Sequence, residues 1–437
     1  MRQSSIASIL RRDGGRLFRG AVFFFACVGV GLLGARSEAQ TEGAAKEYGR
    51  YANTPETLVP YGGLAPPYRV IFAEPPIYWG GGRQKPEPQG LKTVKVGLLA
   101  PLHGTDEDHK GRSLQRGVEL AFEEANARGG YKGIPFEVIA RNDADAWGAS
   151  SNTLAEFAYL HKVWAVIGSI DSNSTHVAIR TALKAELPVI TVGSNDPTVT
   201  ETGIPWVLRM TPSDRHVGYR LALYLFEERK FSRVTLLRSS DRYGRFGVKE
   251  FMDAARRLQQ PIPMEILLKP NLEDYGGILD RVESSGAQAI VLWTRAQEAA
   301  RVVRQIRERG MDQLVVGTTR MVDQRFLGQA GKAAEGVEAA FWVDMDREDA
   351  VWVKFKKRFR RRYHEPPEIW AAYGYDAANL VIRSMQKAGL NRARILDEMV
   401  MEESFEGVTG NIVFDVNFSN MAPLVMVKVE NGRFVYR

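Results

Sequence analysis

The sequence predicts an α/β protein with two doubly wound parallel-sheet units, preceded by an irregular N-terminal arm. Three observations support this fold class. The length of 437 residues suits two or three domains of roughly 100 to 200 residues each. From about residue 93 onward, short apolar runs alternate with amphipathic stretches of helical period, which is typical of parallel sheets. The alternation occurs twice, in two series of similar length.

The composition is that of an ordinary globular protein. It is 44% hydrophobic and 25% charged, with 41 Gly, 20 Pro and 1 Cys, which disfavours disorder, collagen-like repeats and a disulfide framework. The single cysteine, Cys27, lies in the apolar run near the N-terminus. If that segment is removed, the remaining chain has no thiol nucleophile and no cysteine ligand for zinc.

Residues 1–39 predict a secretory signal peptide. Arginines precede an apolar run at 21–33, and Ser37-Glu38-Ala39 follows as a small-x-small cleavage site. The run is shorter than the roughly 20 residues that span a bilayer. Its removal takes +4 of the formal net charge of +7, and the remaining +3 is too weak to indicate nucleic-acid binding. We therefore expect a periplasmic or otherwise extracytoplasmic protein without a nucleic-acid partner.

Residues 40–92 predict a Pro/Gly-rich N-terminal arm. Neither the helical nor the strand period persists there. Its aromatic residues indicate that the arm packs against another surface, and docking to a partner is the alternative; they are Tyr61, Tyr68, Phe72, Tyr78 and Trp79.

The first α/β series begins with a buried strand and continues through alternating helices and strands. Its first helix is expected to stop at Gly129-Gly130, because glycine commonly follows the last helical residue. The predicted strands are 94–99, 136–140, 163–167 and 188–192, and the predicted helices are 112–127, 151–160 and 175–183.

The second series begins near Ser213-Asp214, where either side chain is expected to cap a helix over 216–228. Helices at 349–363 and 370–387 follow the series. In the first of these, apolar residues recur every three to four positions, so the basic residues at 354–362 are expected to form a solvated face. Contact with an acidic membrane surface or a transporter partner is the alternative. The other predicted helices are 247–258, 275–284 and 296–309, and the predicted strands are 234–237, 264–268, 289–293 and 314–317. Strands at 410–414 and 423–429 are predicted to form a pair.

Hydroxyl-rich loops at strand ends are the candidate binding elements, because α/β sheets bind ligands at the carboxyl ends of their strands. The segments 171–175 and 193–196 follow two neighbouring strands. Their hydroxyls and helix N–H groups predict a receptor for a carboxylate or amide oxygen, with plain helix capping as the alternative for Ser172.

The loop 103–109 carries two imidazoles and three carboxylates. It predicts a solvated acidic loop, and a divalent metal site is the alternative. The sequence has no dinucleotide, P-loop, HExxH or GxSxG motif. We therefore predict no catalytic residue, no metal site and no cofactor.

Several stretches, in this order and spacing, resemble the type I periplasmic binding proteins of the branched-chain amino acid (Leu/Ile/Val) ABC transporter class. The resemblance covers about residues 93–437. The matching stretches are Val96-Gly97-Leu98-Leu99-Ala100-Pro101-Leu102, Arg116-Gly117-Val118-Glu119-Leu120-Ala121, Asn126-Ala127-Arg128-Gly129-Gly130, Val166-Ile167-Gly168, Asp196-Pro197-Thr198-Val199-Thr200, Leu208-Arg209-Met210-Thr211-Pro212-Ser213-Asp214 and Asp241-Arg242-Tyr243-Gly244.

The resemblance implies two Rossmann-like lobes joined by three crossovers, which close around a ligand like a Venus flytrap. Lobe one would be 93–212 plus 341–408, and lobe two 213–340 plus 409–437. It implies a monomer without enzyme activity that captures an amino acid, amide or organic acid and delivers it to a membrane ABC permease. Two alternatives stay open: a ligand-sensing component of a signalling system, and a metal-dependent hydrolase using the 103–109 loop.

The resemblance also implies ligand-binding residues. The family's serine for the ligand carboxylate falls at Ser172, and its contacts from the next strand fall at Gly193 and Asn195, with Ser194 between them. The cleft tyrosine of the second lobe falls at Tyr243.

This sequence departs from the family on the side of the ligand ammonium. The family's acidic residue falls at Thr319, and two family tyrosines fall at Arg295 and Lys110. If these cations and Arg320 face the cleft, they suit a ligand with an additional acidic group or an organic acid without an amine. Otherwise they point to solvent, and Asp171 or the 106–108 acidic loop supplies the missing charge.

Overall fold

The computed structural model describes residues 81–143, 149–201, 203–402, 404–415 and 417–437. The predicted signal peptide and residues 40–80 of the predicted arm lie outside these ranges. Within them, no helix combines the length and the apolar character needed to cross a membrane.

Five parallel strands form the first sheet, in the order β2-β1-β3-β4-β5. Leu98 and Leu99 of β1 point to opposite faces of the sheet and are both fully buried, as expected for a parallel sheet covered on both faces. The strands are β1 (Val94–Ala100), β2 (Phe136–Asn142), β3 (Val166–Gly168), β4 (Val189–Thr191) and β5 (Val207–Arg209).

Helices from two separate parts of the chain cover this sheet and complete the first lobe. The closest pair is α1 and α10, and Gly117 permits it, because a Cβ there would lie 1.9 Å from the carbonyl oxygen of Ala371. The helices are α1 (Asp108–Ala127), α2 (Ala149–Ala155) with a π-helical turn at Glu156–Leu160, α3 (Ser172–Ala185), α9 (Ala350–Tyr363), α10 (Ile369–Ala388) and α11 (Arg392–Met401).

Seven strands form the second sheet, in the order β14-β13-β10-β9-β8-β6-β7. The strands β6 to β10 are parallel, and β13 runs antiparallel to both β10 and β14. The strands are β6 (Val234–Arg238), β7 (Met264–Leu267), β8 (Ala289–Trp293), β9 (Leu314–Gly317), β10 (Glu338–Phe341), β13 (Val425–Glu430) and β14 (Arg433–Tyr436).

The helices of the second lobe pack on this sheet through one apolar face each. In α7, for example, Ala299, Val303 and Ile306 are fully buried at helical spacing. The helices are α4 (Asp214–Ala222) with a π-helical turn at Leu223–Glu228, α5 (Arg242–Arg257), α6 (Gly276–Ser284), α7 (Ala296–Glu308) and α8 (Gln324–Ala330).

The chain passes between the lobes three times: between β5 and α4, between β10 and α9, and between a hairpin and β13. The hairpin is β11 (Ser404–Gly407) with β12 (Gly410–Val413), and its Phe405 and Ile412 belong to the core of the first lobe. The predicted fold class of two α/β lobes with three crossovers is confirmed. The predicted residue numbers of the lobe boundaries stay a prediction.

The predicted cap of the helix after residue 213 is wrong. The helix begins at Asp214, and Ser213 at its N-cap position makes no side-chain capping bond. The hydroxyl of Ser213 instead lies 3.0 Å from Nδ1 of His216, and the carboxylate of Asp214 is buried.

Residues 81–92, which we call the strap, lie along the amino-end edge of the first sheet. Asn391 joins the strap to the start of α11, donating from Nδ2 to the carbonyls of Gly82 and Lys85 at 2.8 and 3.0 Å. Arg83 pairs with Asp397 at 2.6 Å on the same helix. The described end of the predicted arm therefore packs on the first lobe.

Candidate functional site

The loops at the carboxyl ends of the two sheets face each other and enclose a cleft. We define the cleft by the loops after β3 and β4 of the first lobe and the loops after β8 and β9 of the second lobe. They are in direct contact, because Asn195 Nδ2 donates to Thr319 Oγ1 at 3.3 Å. Both side chains are almost completely buried. The structure thus brings together residues that lie more than a hundred positions apart.

Ser172 forms the first-lobe side of the cleft, at the first turn of α3. Asp171 caps this helix, accepting hydrogen bonds from the backbone N–H of Asn173 and Ser174 at 2.8 and 3.0 Å. The hydroxyl of Ser172 accepts a bond from the backbone N–H of Asp196 at 3.4 Å. Since that bond uses a lone pair, the hydroxyl hydrogen remains to be donated to a ligand oxygen.

Gly193 and Ser194 shape the next loop. A Cβ at Gly193 would lie 2.6 Å from the ring of Trp370, so only glycine lets that ring approach. The Ser194 hydroxyl lies 2.5 Å from Thr175 Oγ1 and donates to the carbonyl of Asp171 at 3.0 Å. Ser194 therefore joins the two first-lobe loops to each other, and its predicted contact with a ligand stays a prediction.

Tyr243 forms the second-lobe side, at the start of α5. It is 7% exposed, and its hydroxyl lies 2.5 Å from Thr318 Oγ1. Its ring centroid is 6.2 Å from that of Trp293. Burial and the neighbouring Asp214 raise the pKa of the Tyr243 hydroxyl, so the phenol is neutral.

The two predicted cations Lys110 and Arg295 lie in ion pairs at the cleft. Lys110 is 1% exposed, and its Nζ lies 3.1 Å from both carboxylate oxygens of Glu107 and 3.2 Å from Asp323. Arg295 pairs with Asp241 at 3.1 Å and with Glu107 at 3.5 Å. These ion pairs place Lys110 and Arg295 beside the cleft, with Lys110 buried and Arg295 partly exposed. Whether either cation contacts a ligand stays a prediction.

The cleft carboxylates are held in their charged form by these partners. Burial alone raises the pKa of Glu107, but the charges of Lys110, Arg320 and Arg295 outweigh it and lower that pKa strongly. Asp323 behaves in the same way: a hydrogen bond from His109 and the charge of Lys110 overcome burial, and the pKa falls to about 2.

Asp196 adds a further contact between the lobes. Its carboxylate pairs with Arg242 on α5 and lies 3.4 Å from His176. Burial raises its pKa, but hydrogen bonds from His176 and Thr198 and the charge of Arg242 together lower it to about 2.

Three residues of the cleft were not predicted as site residues from the sequence. Trp370 at the start of α10 lies against Gly193 and beneath Lys110, whose Nζ is 5.7 Å from the ring centroid. Asp214 is fully buried, and neither carboxylate oxygen has a hydrogen-bond partner in the described chain. Arg320 was noted only as a possible cleft cation, and no local signal shows that it crosses to the other lobe.

The acidic loop 103–109 is engaged by basic side chains of the second lobe. Glu107 pairs with Arg320 at 2.8 Å, and Asp108 lies 3.7 Å from Arg325. Across the described ranges, no three His, Cys, Asp or Glu side chains are grouped to hold a metal ion. The loop therefore serves as an electrostatic contact between the lobes.

A groove of about 920 Å³ lies away from the cleft, at the amino-end edge of the first sheet. It contains none of the predicted site residues. Its described lining combines the strap with Trp164, Leu160 and several lysines: Lys85, Lys92, Lys95, Lys162 and Lys184.

Two α/β lobes with facing hydroxyl, amide and phenol groups at the carboxyl ends of their strands define a two-lobed solute-binding protein. The chain belongs to the periplasmic binding protein family, whose model matches residues 93–433. This membership confirms the resemblance inferred from the short sequence motifs.

Similar proteins include amino acid-binding proteins. The Leu/Ile/Val-binding protein homolog 2 of Brucella abortus (strain 2308) is 26% identical over 351 residues, which cover 78% of this chain and 93% of the relative. The branched-chain amino acid transporter substrate binding protein LivJ from Streptococcus pneumoniae, solved in complex with isoleucine, has a TM-score of 0.72 at 25% identity. That alignment covers 79% of this chain and 100% of LivJ.

One structural neighbour was solved with a ligand that has no amino group. It is the solute binding protein of an ABC transporter from R. palustris, in complex with benzoate. Its TM-score is 0.70 at 18% identity, and the alignment covers 79% of this chain and 95% of the neighbour. At this identity the likeness concerns the fold.

Proposed function

We propose that this protein is the extracytoplasmic solute-binding component of an ABC importer. It captures a small carboxylate-bearing solute between its lobes and delivers it to the membrane permease. Residues 1–39 direct its export and are removed. The protein binds its solute and catalyses no reaction on it.

One observation carries this proposal: Ser172 and Asn195 of the first lobe and Tyr243 of the second lobe converge on the same cleft. The Ser172 hydroxyl hydrogen is available to a carboxylate oxygen, and Asn195 Oδ1 is buried without a partner in the described chain. A buried polar atom without a partner is costly, so a bound solute that satisfies it stabilises the closed cleft.

The relatives support the proposal. The matched proteins of Brucella abortus are named for leucine, isoleucine and valine, and the S. pneumoniae neighbour belongs to a branched-chain amino acid transporter. The alignment covers nearly the whole of each, so the entire binding unit has its counterpart here.

Thermal unfolding of the purified protein against a panel of amino acids, amides, dicarboxylates and aromatic acids tests the proposal. A solute at 100 times its dissociation constant adds about 2.7 kcal/mol to the free energy of unfolding, which raises the melting temperature. A saturable shift with one chemical class supports the proposal. Equal melting temperatures across the panel contradict it.

A further inference from the structure

The guanidinium of Arg320 belongs to the second lobe but is bonded inside the first. Its Nη2 donates to the backbone carbonyls of Ile170 and Gly193 at 2.5 and 3.0 Å, and its Nη1 pairs with Glu107 at 2.8 Å. The side chain is 4% exposed and lies between two rings, with its central carbon 5.6 Å from the centroids of both Tyr243 and Trp370.

The two carbonyls that Arg320 occupies are backbone acceptors next to the proposed position of the solute carboxylate. They follow β3 and β4 directly, beside Ser172 and Asn195, so a solute whose carboxylate meets Ser172 would direct its ammonium toward them. An ammonium buried without acceptors and a counter-charge is costly. To bind there, it would have to displace a buried guanidinium that already has three partners.

The neighbouring acids are also committed. Glu107 pairs with Lys110, Arg320 and Arg295, and Asp323 pairs with Lys110 and His109. The acid at the position implied by the family resemblance is absent, because Thr319 stands there. The described cleft therefore offers no unpaired charged carboxylate from this set to a solute cation.

Asp214 is the remaining buried carboxyl group near Arg320 and Tyr243. Neither of its oxygens has a hydrogen-bond partner among the described residues. Burial and the charge of Asp196 raise the pKa of Asp214 well above its ordinary value. Burial thus disfavours a charged carboxylate at Asp214, which makes this group a poor counter-charge for a solute ammonium.

We propose that Arg320 takes the place of a ligand ammonium, so that this cleft selects carboxylic acids without an α-amino group. The Nε–H of Arg320 is buried without a partner in the described chain, and the solute carboxylate accepts from it and from the Ser172 hydroxyl. This inference rests on the proposed solute-binding function and specifies its substrate class.

Calorimetric titration with matched pairs tests the inference. The pairs are leucine with 4-methylpentanoate, phenylalanine with 3-phenylpropanoate, and glutamate with glutarate. The unsubstituted protein is expected to bind at least one deaminated acid about 100-fold or more tightly than the matching amino acid.

Arg320→Ser frees the two carbonyls for an ammonium and removes the Nε–H donor for the carboxylate. It is therefore expected to reduce this preference to less than about 10-fold, through weaker binding of the deaminated acid and a compensated ammonium in the amino acid. Arg325→Ser is the matched control, because Arg325 also reaches the first lobe but contacts Asp106 and Asp108 outside the cleft. Its preference is expected to equal that of the unsubstituted protein.

The outcomes separate the two proposals. If the unsubstituted protein binds an amino acid as tightly as its deaminated partner, the role assigned to Arg320 is overturned and the solute-binding function stands. If neither the protein nor Arg320→Ser binds any of the six compounds, this inference is overturned. The proposed function is overturned with it only when the melting temperatures also stay equal across the wider panel.

Discussion

At the scale of single residues, Ser172 is the group whose removal should affect the solute most directly. The Ser172 hydroxyl lies at the start of α3 and can donate its hydrogen to a solute oxygen. Within the described protein it accepts one long hydrogen bond, from the backbone N–H of Asp196. Ser172→Ala is expected to weaken solute binding about tenfold, because one hydrogen bond to a carboxylate contributes roughly 1.5 kcal/mol or more.

Calorimetric titration measures this affinity, and the free energy of unfolding is expected to change little. Ser284→Ala is the control, since Ser284 is an exposed serine on α6 that donates only to the carbonyl of Asp280. An unchanged affinity of Ser172→Ala for the solute would contradict our placement of the carboxylate.

Asp196 is a second single residue with a testable effect, on the free energy of unfolding at acidic pH. Its folded-state pKa of about 2 lies below the ordinary value of 3.8, so the unfolded chain binds the proton more tightly. Its stabilisation is present above about pH 4 and is lost as the pH falls toward 2, and it amounts to roughly 2 kcal/mol.

Asp196→Asn should therefore be less stable near neutral pH and show a shallower loss of stability between about pH 4 and pH 2. Urea unfolding at several pH values gives this slope. Asp253→Asn should keep the slope of the unsubstituted protein, because Asp253 pairs only on the exposed surface of α5. Equal slopes for both variants would contradict the assignment.

At the scale of elements, the loop after β4 and the start of α10 fit together only through the glycine at 193. Gly193→Ala places a Cβ 2.6 Å from the Trp370 ring, so the ring or the loop must move. We expect a loss of about 1 to 3 kcal/mol in the free energy of unfolding, together with weaker solute binding.

Gly277→Ala is the matched substitution in an exposed helix. A Cβ at Gly277 meets no atom within 4 Å, so this change should stabilise the protein by about 0.5 to 1 kcal/mol. Chemical denaturation of both variants checks the two signs. Gly193→Ala with unaltered stability would show that the loop yields easily.

The elements with many apolar residues could be predicted from the sequence, because such helices show a period and such strands form a continuous apolar run. The buried runs at Val94–Ala100 and Ala289–Trp293 are examples. The strand β5 (Val207–Arg209) was missed because it contains a buried arginine, Arg209, and so does not form a continuous apolar run. The strands predicted at 410–414 and 423–429 were found, but they belong to different sheets.

The candidate site was predictable only in part for a related reason. Ser172 and Asn195 follow buried strands, so their place at a sheet edge can be inferred from order along the chain. The bonds of Arg320 to Ile170 and Gly193 depend on how the two lobes meet, and no local pattern encodes that geometry.

At the scale of the whole molecule, Glu107 connects the lobes electrostatically. It lies in the first lobe and pairs with Arg320 and Arg295 of the second. Glu107→Gln leaves these buried cations with fewer partners, and breaking a buried ion pair typically costs about 3 to 5 kcal/mol. We expect the cleft to open, with a larger radius of gyration in small-angle X-ray scattering.

Glu123→Gln is the control, because Glu123 pairs with Arg362 within the first lobe. Its radius of gyration should equal that of the unsubstituted protein. A compact Glu107→Gln variant would show that the contacts of Arg320 with the two carbonyls suffice to hold the lobes together.

The segments that cross between the lobes limit how the lobes can move when the cleft opens. Arg209, at the end of β5, is 1% exposed and donates to Ser419 Oγ at 2.8 and 3.0 Å, and its backbone carbonyl accepts from the N–H of Asn420 at 3.1 Å. These bonds join two of the segments that pass between the lobes. Motion is therefore expected to be a rotation about these segments, with each sheet preserved.

The strap determines from which side the molecule can be held. It joins the first lobe at the amino-end edge of the sheet, through Asn391 and Arg83, whereas Ser172 and Gly193 lie at the carboxyl ends of the strands. The chain therefore joins the first lobe, at residue 81, at the edge of the sheet opposite the solute entrance. A fluorescent label or a tether attached to the strap itself is therefore expected to leave the solute entrance and the rotating lobe unobstructed.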